Sequence, residues 1–146
     1  LLYNRGEKMS STILALDPGT DKLGLAVLAG DGMVLHRDVV PRPLLATTVQ
    51  EIVTVYKPTV VVLGDGTGAK SFQTELERRR LLPQNCNIVM VDEYRTSEEA
   101  RWVYLREHRR GWRRLIPLGL QTPAEPYDDY VAVILGRRYL NKTKTR

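Results

Sequence analysis

Four acidic residues stand where the chain changes character. Asp17 closes the apolar run Thr12–Leu16 and is followed by the turn formers Pro18 and Gly19. Glu93 comes two residues after a second apolar run, Ile88–Val91, and Asp128 and Asp129 open the last helical segment. On a helix, Asp128 shares a face with Val131, Ala132, Leu135 and Tyr139, at offsets of three, four, seven and eleven. Asp129 is rotated by ~100° from that stripe and is expected to be the more exposed of the two. A carboxylate at the head of an apolar stripe is costly unless it is paired or binds a cation. Acids from two strand ends and one packed helix can meet in one cleft, where they raise each other's pKa unless a divalent ion neutralises them. Mg²⁺ suits such a set, because it takes oxygen ligands and keeps waters for phosphates. Two such ions can clamp the attacking and leaving oxygens of a phosphodiester. Isolated acids at strand ends more commonly form turns or N-caps, so the residues alone leave both readings open.

Positioning these acids requires strands and helices that the apolar spacing supplies. Thr12–Leu16, Leu23–Leu28 and Met33–Val40 are separated by turn residues and read as a three-strand antiparallel meander, ended by Pro41 and Pro43. Leu45, Val49, Ile52, Val53 and Tyr56 recur at helical spacing and predict a helix over 44–56. Val60–Leu63 and Ile88–Val91 are continuous apolar runs, the pattern of buried strands. Between them 70–82 predicts a charged helix, and 97–108 another, with Thr96 or Ser97 as N-cap. Residues 109–126 lack a clear period and read as a long loop, and a final helix is expected over about 127–140. A meander followed by helix–strand alternation implies one α/β domain, a five-strand mixed sheet flanked by helices on both faces. The expected domain is 9–140, with 1–8 a tag or upstream extension before Met9 and 141–146 a frayed basic tail.

The 146 residues suit a single domain, and 42% hydrophobic with 27% charged residues excludes wholesale disorder. A lone cysteine, Cys86, excludes an internal disulfide framework and any all-cysteine zinc site. No apolar run approaches the ~20 residues of a membrane span, and no secretory signal opens the chain, so a reducing cytoplasmic home is the expectation. The 22 basic and 17 acidic residues leave a net charge of +5, unevenly placed. Residues 1–94 carry 10 basic against 11 acidic groups, 95–114 carry seven against three, and 137–146 carry five against none. Basic charge gathered in the C-terminal third suits a polyanion, above all nucleic acid, although a solvated helix face and tail would look the same.

Three segments together resemble the YqgF/RuvX family, the Holliday-junction-resolvase-like proteins with an RNase H-like fold. Ile13-Leu-Ala-Leu-Asp17-Pro-Gly-Thr20-Asp-Lys-Leu-Gly24-Leu-Ala26 is similar to its opening strand and turn. Val91-Asp-Glu93-Tyr-Arg95-Thr-Ser97 is similar to its second acidic motif, and Asp128 through Leu140 to its closing helix. Counting eleven back from Tyr139 places the family acid on Asp128 rather than Asp129. The resemblance spans 12–140 and implies a single RNase H-like domain with Asp17, Glu93 and Asp128 as catalytic, metal-holding positions for Mg²⁺ or Mn²⁺. It implies a nuclease acting on structured nucleic acid, either ribosomal precursor RNA or branched DNA, as a monomer or weak homodimer. Lys22, Arg95, Arg106, Arg109, Arg110, Arg113 and Arg114 would then hold the phosphate backbone. The rivals are a non-catalytic nucleic-acid-binding or ribosome-associated module of the same fold, and a dimeric junction-specific DNA resolvase. The chain departs from the family pattern at Gly64-Asp-Gly-Thr-Gly68, at Tyr94 and in the length of 109–126.

Other signals are discounted. Gly64 to Ser71 looks like a phosphate-binding P-loop, but Ala69 occupies the glycine position that the motif requires before its lysine. It reads instead as a strand-to-helix turn. Asp17-x-Gly-Thr20 also resembles the first phosphate motif of sugar kinases and chaperone ATPases, which bind nucleotide between two domains, and this chain has room for one. His36 and His108 show no ligand spacing. Trp102, with Val103 and Leu105, reads as helix packing, while Trp112 among arginines is as fitted to base stacking as to anchoring a loop.

Overall fold

The computed structural model describes residues 11–107 and 128–144. The extension 1–8, His108, Trp112 and the four arginines of 109–114 lie outside the described residues. The meander forms as expected, with β1 Thr12–Pro18, β2 Lys22–Ala29 and β3 Val34–Pro41. Then come α1 Leu45–Tyr56, β4 Val60–Gly64, α2 Ala69–Arg78, β5 Asn87–Val91, α3 Thr96–Glu107 and α4 Asp128–Lys144. The sheet runs in the order β3-β2-β1-β4-β5. β1 pairs antiparallel with β2, β2 antiparallel with β3, and β1–β4 and β4–β5 are parallel. The sheet is therefore mixed and five-stranded, with β1 at its centre.

Strand alternation divides the core into two layers. Leu14, Leu16, Leu23, Leu25, Val61 and Leu63 pack with Leu45, Val49, Ile52 of α1 and Phe72, Leu76 of α2. Ile13, Ala15, Ala26, Leu28 and Val62 pack on the other face, with Ala100, Tyr104 and Leu105 of α3 and Val131, Ala132, Leu135 of α4. The apolar stripe read behind Asp128 is thus the buried face of α4. Gly136 brings that helix close, since a Cβ there would stand 2.8 Å from the Leu28 side chain and 3.4 Å from Ala15.

Three expectations need correction. α2 stops at Arg78 rather than 82. Arg80 turns left-handed at φ 52°, its N–H donates to the Glu77 carbonyl, and the Leu81 N–H donates back to the Leu76 carbonyl. This double closure ends a helix, and Leu81 and Leu76 are both buried in the core beneath it. An arginine at that position carries no signal of the turn. α4, conversely, continues through Lys144, so 141–144 belong to the helix rather than to a tail. Trp102 is 36% exposed, with the Arg101 guanidinium 5.8 Å from its ring centre, while Leu105 and Val103 do the packing.

Arg80→Gly should raise stability, because glycine adopts the left-handed conformation without a Cβ penalty. A gain of about 0.5–1 kcal/mol is expected, read as a rise of a few degrees in the melting temperature.

Candidate active site

Asp17 lies at the end of β1 on the face that α3 and α4 cover, directly opposite Gly24 of β2. A Cβ at Gly24 would overlap the Asp128 carbonyl and press on the Asp128 Cβ. The absence of that side chain lets the first residue of α4 come down beside Asp17. On the other side of β1 stands β4, and β5 lies beyond it. Adjacent strands are ~4.8 Å apart, so the β1 and β5 backbones are separated by about 10 Å. Glu93 follows β5 and spans that gap across the tip of β4, where a Cβ at either Gly64 or Gly66 would overlap its carboxylate oxygens. Each partner of Asp17 therefore arrives over a glycine.

The loop that carries Glu93 is firmly tied. Its carbonyl accepts the Thr96 N–H at 3.0 Å and the Thr96 hydroxyl at 2.9 Å, and Thr96 is buried. The hydroxyl expected to cap α3 is thus spent on holding Glu93. The Tyr94 N–H donates to Asp92 Oδ1 at 2.9 Å. Arg138 of α4 donates to the Asp92 carbonyl at 2.9 Å and pairs with Glu99. The β1–β2 turn is clamped by Arg42, which donates to the Gly19 carbonyl at 2.9 Å and pairs with Glu75 at the same distance.

Asp128 and its neighbour have separate tasks. Asp129, foreseen from helical rotation as the more exposed of the two, is half-buried like Asp128; its side chain is 16% exposed and lies 3.6 Å from Arg37 Nε. Burial raises its carboxyl above the ordinary value, against the pull of Arg37. Arg37 also donates to Tyr130 Oη at 3.0 Å and lies 4.1 Å from that ring's centre, and Tyr130 donates to Glu107 at 2.7 Å. Burial, then the bond to Glu107, pushes the Tyr130 hydroxyl up to about 12. This network joins β3, the end of α3 and the start of α4.

The electrostatic centre is Asp17. Burial, then the charges of Asp128 and Glu93, push its carboxyl from 3.8 up to about 7. Among the described residues no ion pair engages Asp17, Glu93 or Asp128. Two open hollows share Asp17 as a wall. One, of about 440 Å³, is bounded by Glu93, Tyr94, Arg95 and the first turn of α3. The other, of about 230 Å³, is bounded by Gly19–Lys22 and Asp128. Among the described residues no three acids, histidines or cysteines are already closed around one point. The donor set nevertheless fits a divalent cation, because three carboxylates converge from three elements and, among the described residues, no ion pair relieves their mutual repulsion.

The basic residues divide. Lys22 is exposed and lines the hollow with Asp17 and Asp128. Arg95 lines the other, but its Nε donates to Glu98 at 2.6 Å, which holds the guanidinium against α3. Arg106 is exposed in the last turn of α3, ~15 Å along the helix from Thr96. The part that Gly24, Gly64, Gly66 and Arg138 play beside the acids was not read from the sequence. The glycines had one available signal, a Gly-x-Gly directly after a buried strand, in a run where Ala69 replaces the glycine a phosphate loop requires before its lysine.

The single α/β domain with its five-strand mixed sheet shares its fold with solved RuvC structures. No protein-family model and no curated protein sequence matches the chain. Among solved structures it is similar to T. thermophilus RuvC in complex with a Holliday junction substrate, with a TM-score of 0.59 and 15% identity over 92% of this chain and 96% of that one. It is also similar to the fowlpox virus resolvase in complex with substrate Holliday junction DNA, with a TM-score of 0.58 and 15% identity over 90% and 98%. At such identities the likeness is one of fold. No helix among the described residues is long and apolar enough to cross a membrane.

The Asp17 shift has a consequence for stability without metal. The folded state keeps the proton at pH values where the unfolded chain has released it, so stability is full below pH ~4 and falls as pH rises towards 7. A rise from 3.8 to about 7 corresponds to a loss of up to ~4 kcal/mol across that window. Asp17→Asn should remove the loss, so that in EDTA at pH 8 it melts above the wild type, and at pH 4 close to it. Equal melting temperatures at pH 8 would contradict the crowding.

Proposed function

We propose that this chain is a metal-dependent nuclease that hydrolyses phosphodiester bonds in structured nucleic acid, with branched DNA the favoured substrate. The observation that carries the reading is the convergence of Asp17, Glu93 and Asp128 from β1, the β5–α3 loop and α4 at one end of the sheet. The fold supports it, since similar structures are resolvases solved with Holliday junctions. Asp17, Glu93 and Asp128 would hold Mg²⁺ or Mn²⁺. When bound, such an ion supplies charge neutralisation and activation of water for attack on phosphorus. Asp17 would face both hollows, so that it stands between the two sides of a scissile phosphate. Lys22 offers its ammonium to the phosphate backbone beside Asp17, and such contacts position a strand without reading its sequence.

A second reading, ribosomal precursor RNA as substrate, is favoured by the position of Glu93 within Asp92-Glu93-Tyr-Arg-Thr-Ser, the motif that resembles the YqgF/RuvX family. A cleavage panel of single strands, duplexes, four-way junctions and precursor ribosomal RNA, with and without Mg²⁺, decides between them. Asp17→Asn, Glu93→Gln and Asp128→Asn should each lose more than the ~10–100-fold typical of outer-shell changes around a metal. Asp129→Asn should keep activity at low temperature while melting earlier, because its partner Arg37 holds the fold. No Mg²⁺-dependent cleavage of any substrate would favour a binding module. Size-exclusion with a four-way junction tests the dimer that symmetric cutting of two strands requires.

The salt dependence of duplex binding separates the basic side chains. Lys22→Ala should flatten the slope of log affinity against log salt by ~0.9, the amount for one neutralised phosphate. Arg95→Ala should change it less, because Arg95 is already paired with Glu98. Equal slopes for wild type and Lys22→Ala would remove Lys22 from the interface.

A further inference from the structure

We infer that Asp65 is a positioning residue for Glu93, and that the turn Gly64-Asp65-Gly66 at the tip of β4 aims the Glu93 carboxylate at Asp17. The catalytic consequence of this inference rests on the nuclease reading; the positioning itself does not.

β4 is the strand that Glu93 must cross to reach β1. The last pair of the β4–β5 ladder is Gly64 with Val91. The Asp65 N–H extends the contact, donating to the Val91 carbonyl at 2.9 Å. Two residues after Val91 the direction of donation reverses: the Glu93 N–H donates to Asp65 Oδ1 at 3.2 Å. The Asp65 side chain thus takes over where β5 has ended and the main chain of β4 no longer offers an acceptor. With its carbonyl held by Thr96, Glu93 has both main-chain polar groups fixed by named partners. Only its side-chain torsions remain free, and these are confined by the two positions where Gly64 and Gly66 leave room for the carboxylate.

The identity of each residue in the turn follows. Glycine at 64 and 66 is required by space rather than by a phosphate ligand. A short side chain with an sp² oxygen is required between them, because it must bond a backbone N–H close to its own strand tip. Asp65 is exposed and its role is that of an acceptor, so its charge is dispensable and asparagine should replace it.

The test compares Asp65→Ala with Asp65→Asn in the full chain. Amide hydrogen exchange of Glu93, followed by NMR in EDTA, should be at least 10-fold faster in Asp65→Ala and within about 3-fold of wild type in Asp65→Asn. Calorimetric titration with Mn²⁺ should show affinity weakened ~10–100-fold by Asp65→Ala, the range for partners that orient metal ligands, and restored by Asp65→Asn. Under the nuclease reading, kcat should fall in Asp65→Ala with KM little changed. Unchanged Glu93 exchange in Asp65→Ala would overturn the inference. Mn²⁺ affinity lost equally in both variants would also overturn it, making Asp65 itself a ligand. A wild type that neither binds Mn²⁺ nor cleaves would defeat the nuclease reading, and the exchange measurement would still decide the positioning.

Discussion

The mutual repulsion of three carboxylates around Asp17 is the constraint on which the rest of the structure turns. Left to themselves, these acids would separate. They are held together by close approaches of main chain that only glycine permits, at Gly24 beneath the start of α4 and at Gly64 and Gly66 beneath Glu93. The cost appears in the Asp17 carboxyl, which burial and its two neighbours push up to about 7. A fold that needed only stability would place a cation or an apolar side chain there. This one instead commits nearby arginines to holding the elements that carry the acids.

Arg37, Arg42 and Arg138 show that division. Arg37 joins Asp129, Tyr130 and Glu107, which fixes the first turn of α4 beside β3. Arg42 closes the β1–β2 turn against α2. Arg138 reaches from α4 to the Asp92 carbonyl, one residue before Glu93. Each arginine binds an acid or carbonyl outside the triad, so the scaffold gains its ion pairs without neutralising the cleft. Asp128 and Asp129 illustrate the result at adjacent positions. Asp129 is half-buried and paired with Arg37, and Asp128 is turned to the hollow that Asp17 shares.

Much of this was open to reading in the sequence, for a physical reason. Strand alternation and the helical stripe of α4 are local consequences of burial, so Leu14 and Leu16 against Ile13 and Ala15, and Val131 with Leu135 behind Asp128, declare their faces. The acids at Asp17, Glu93 and Asp128 stand at element ends that the same pattern defines. Long-range partners are another matter. Nothing near Asp129 announces Arg37, its partner on β3, so helical rotation could not show that it is paired. Thr96 looked like an N-cap because caps are local, yet its hydroxyl is turned back to the Glu93 carbonyl. The Gly64–Gly68 run looked like a phosphate loop or a plain turn, since its real neighbour, Glu93, is supplied by the far side of β5.

The choice of glutamate at 93 and aspartate at 17 and 128 follows from the same geometry. Asp128 sits over β2, next to β1, and a short side chain suffices. Glu93 belongs to the far side of β4 and must cover roughly two strand spacings, or about 10 Å, shared between its loop and its side chain. Glutamate lays its carboxylate over Gly64 and Gly66 at the tip of β4, and aspartate, one methylene shorter, would hold the charge nearer to β5. The crowding of the acids also bears on the nuclease reading. A phosphate approaching the two hollows meets three acids, with Lys22 exposed on one side and Arg95 already bonded to Glu98 on the other. Among the described residues Lys22 is the one unpaired cation lining these hollows, so under that reading a divalent cation would have to offset the three carboxylates before a polyanion could settle beside Asp17.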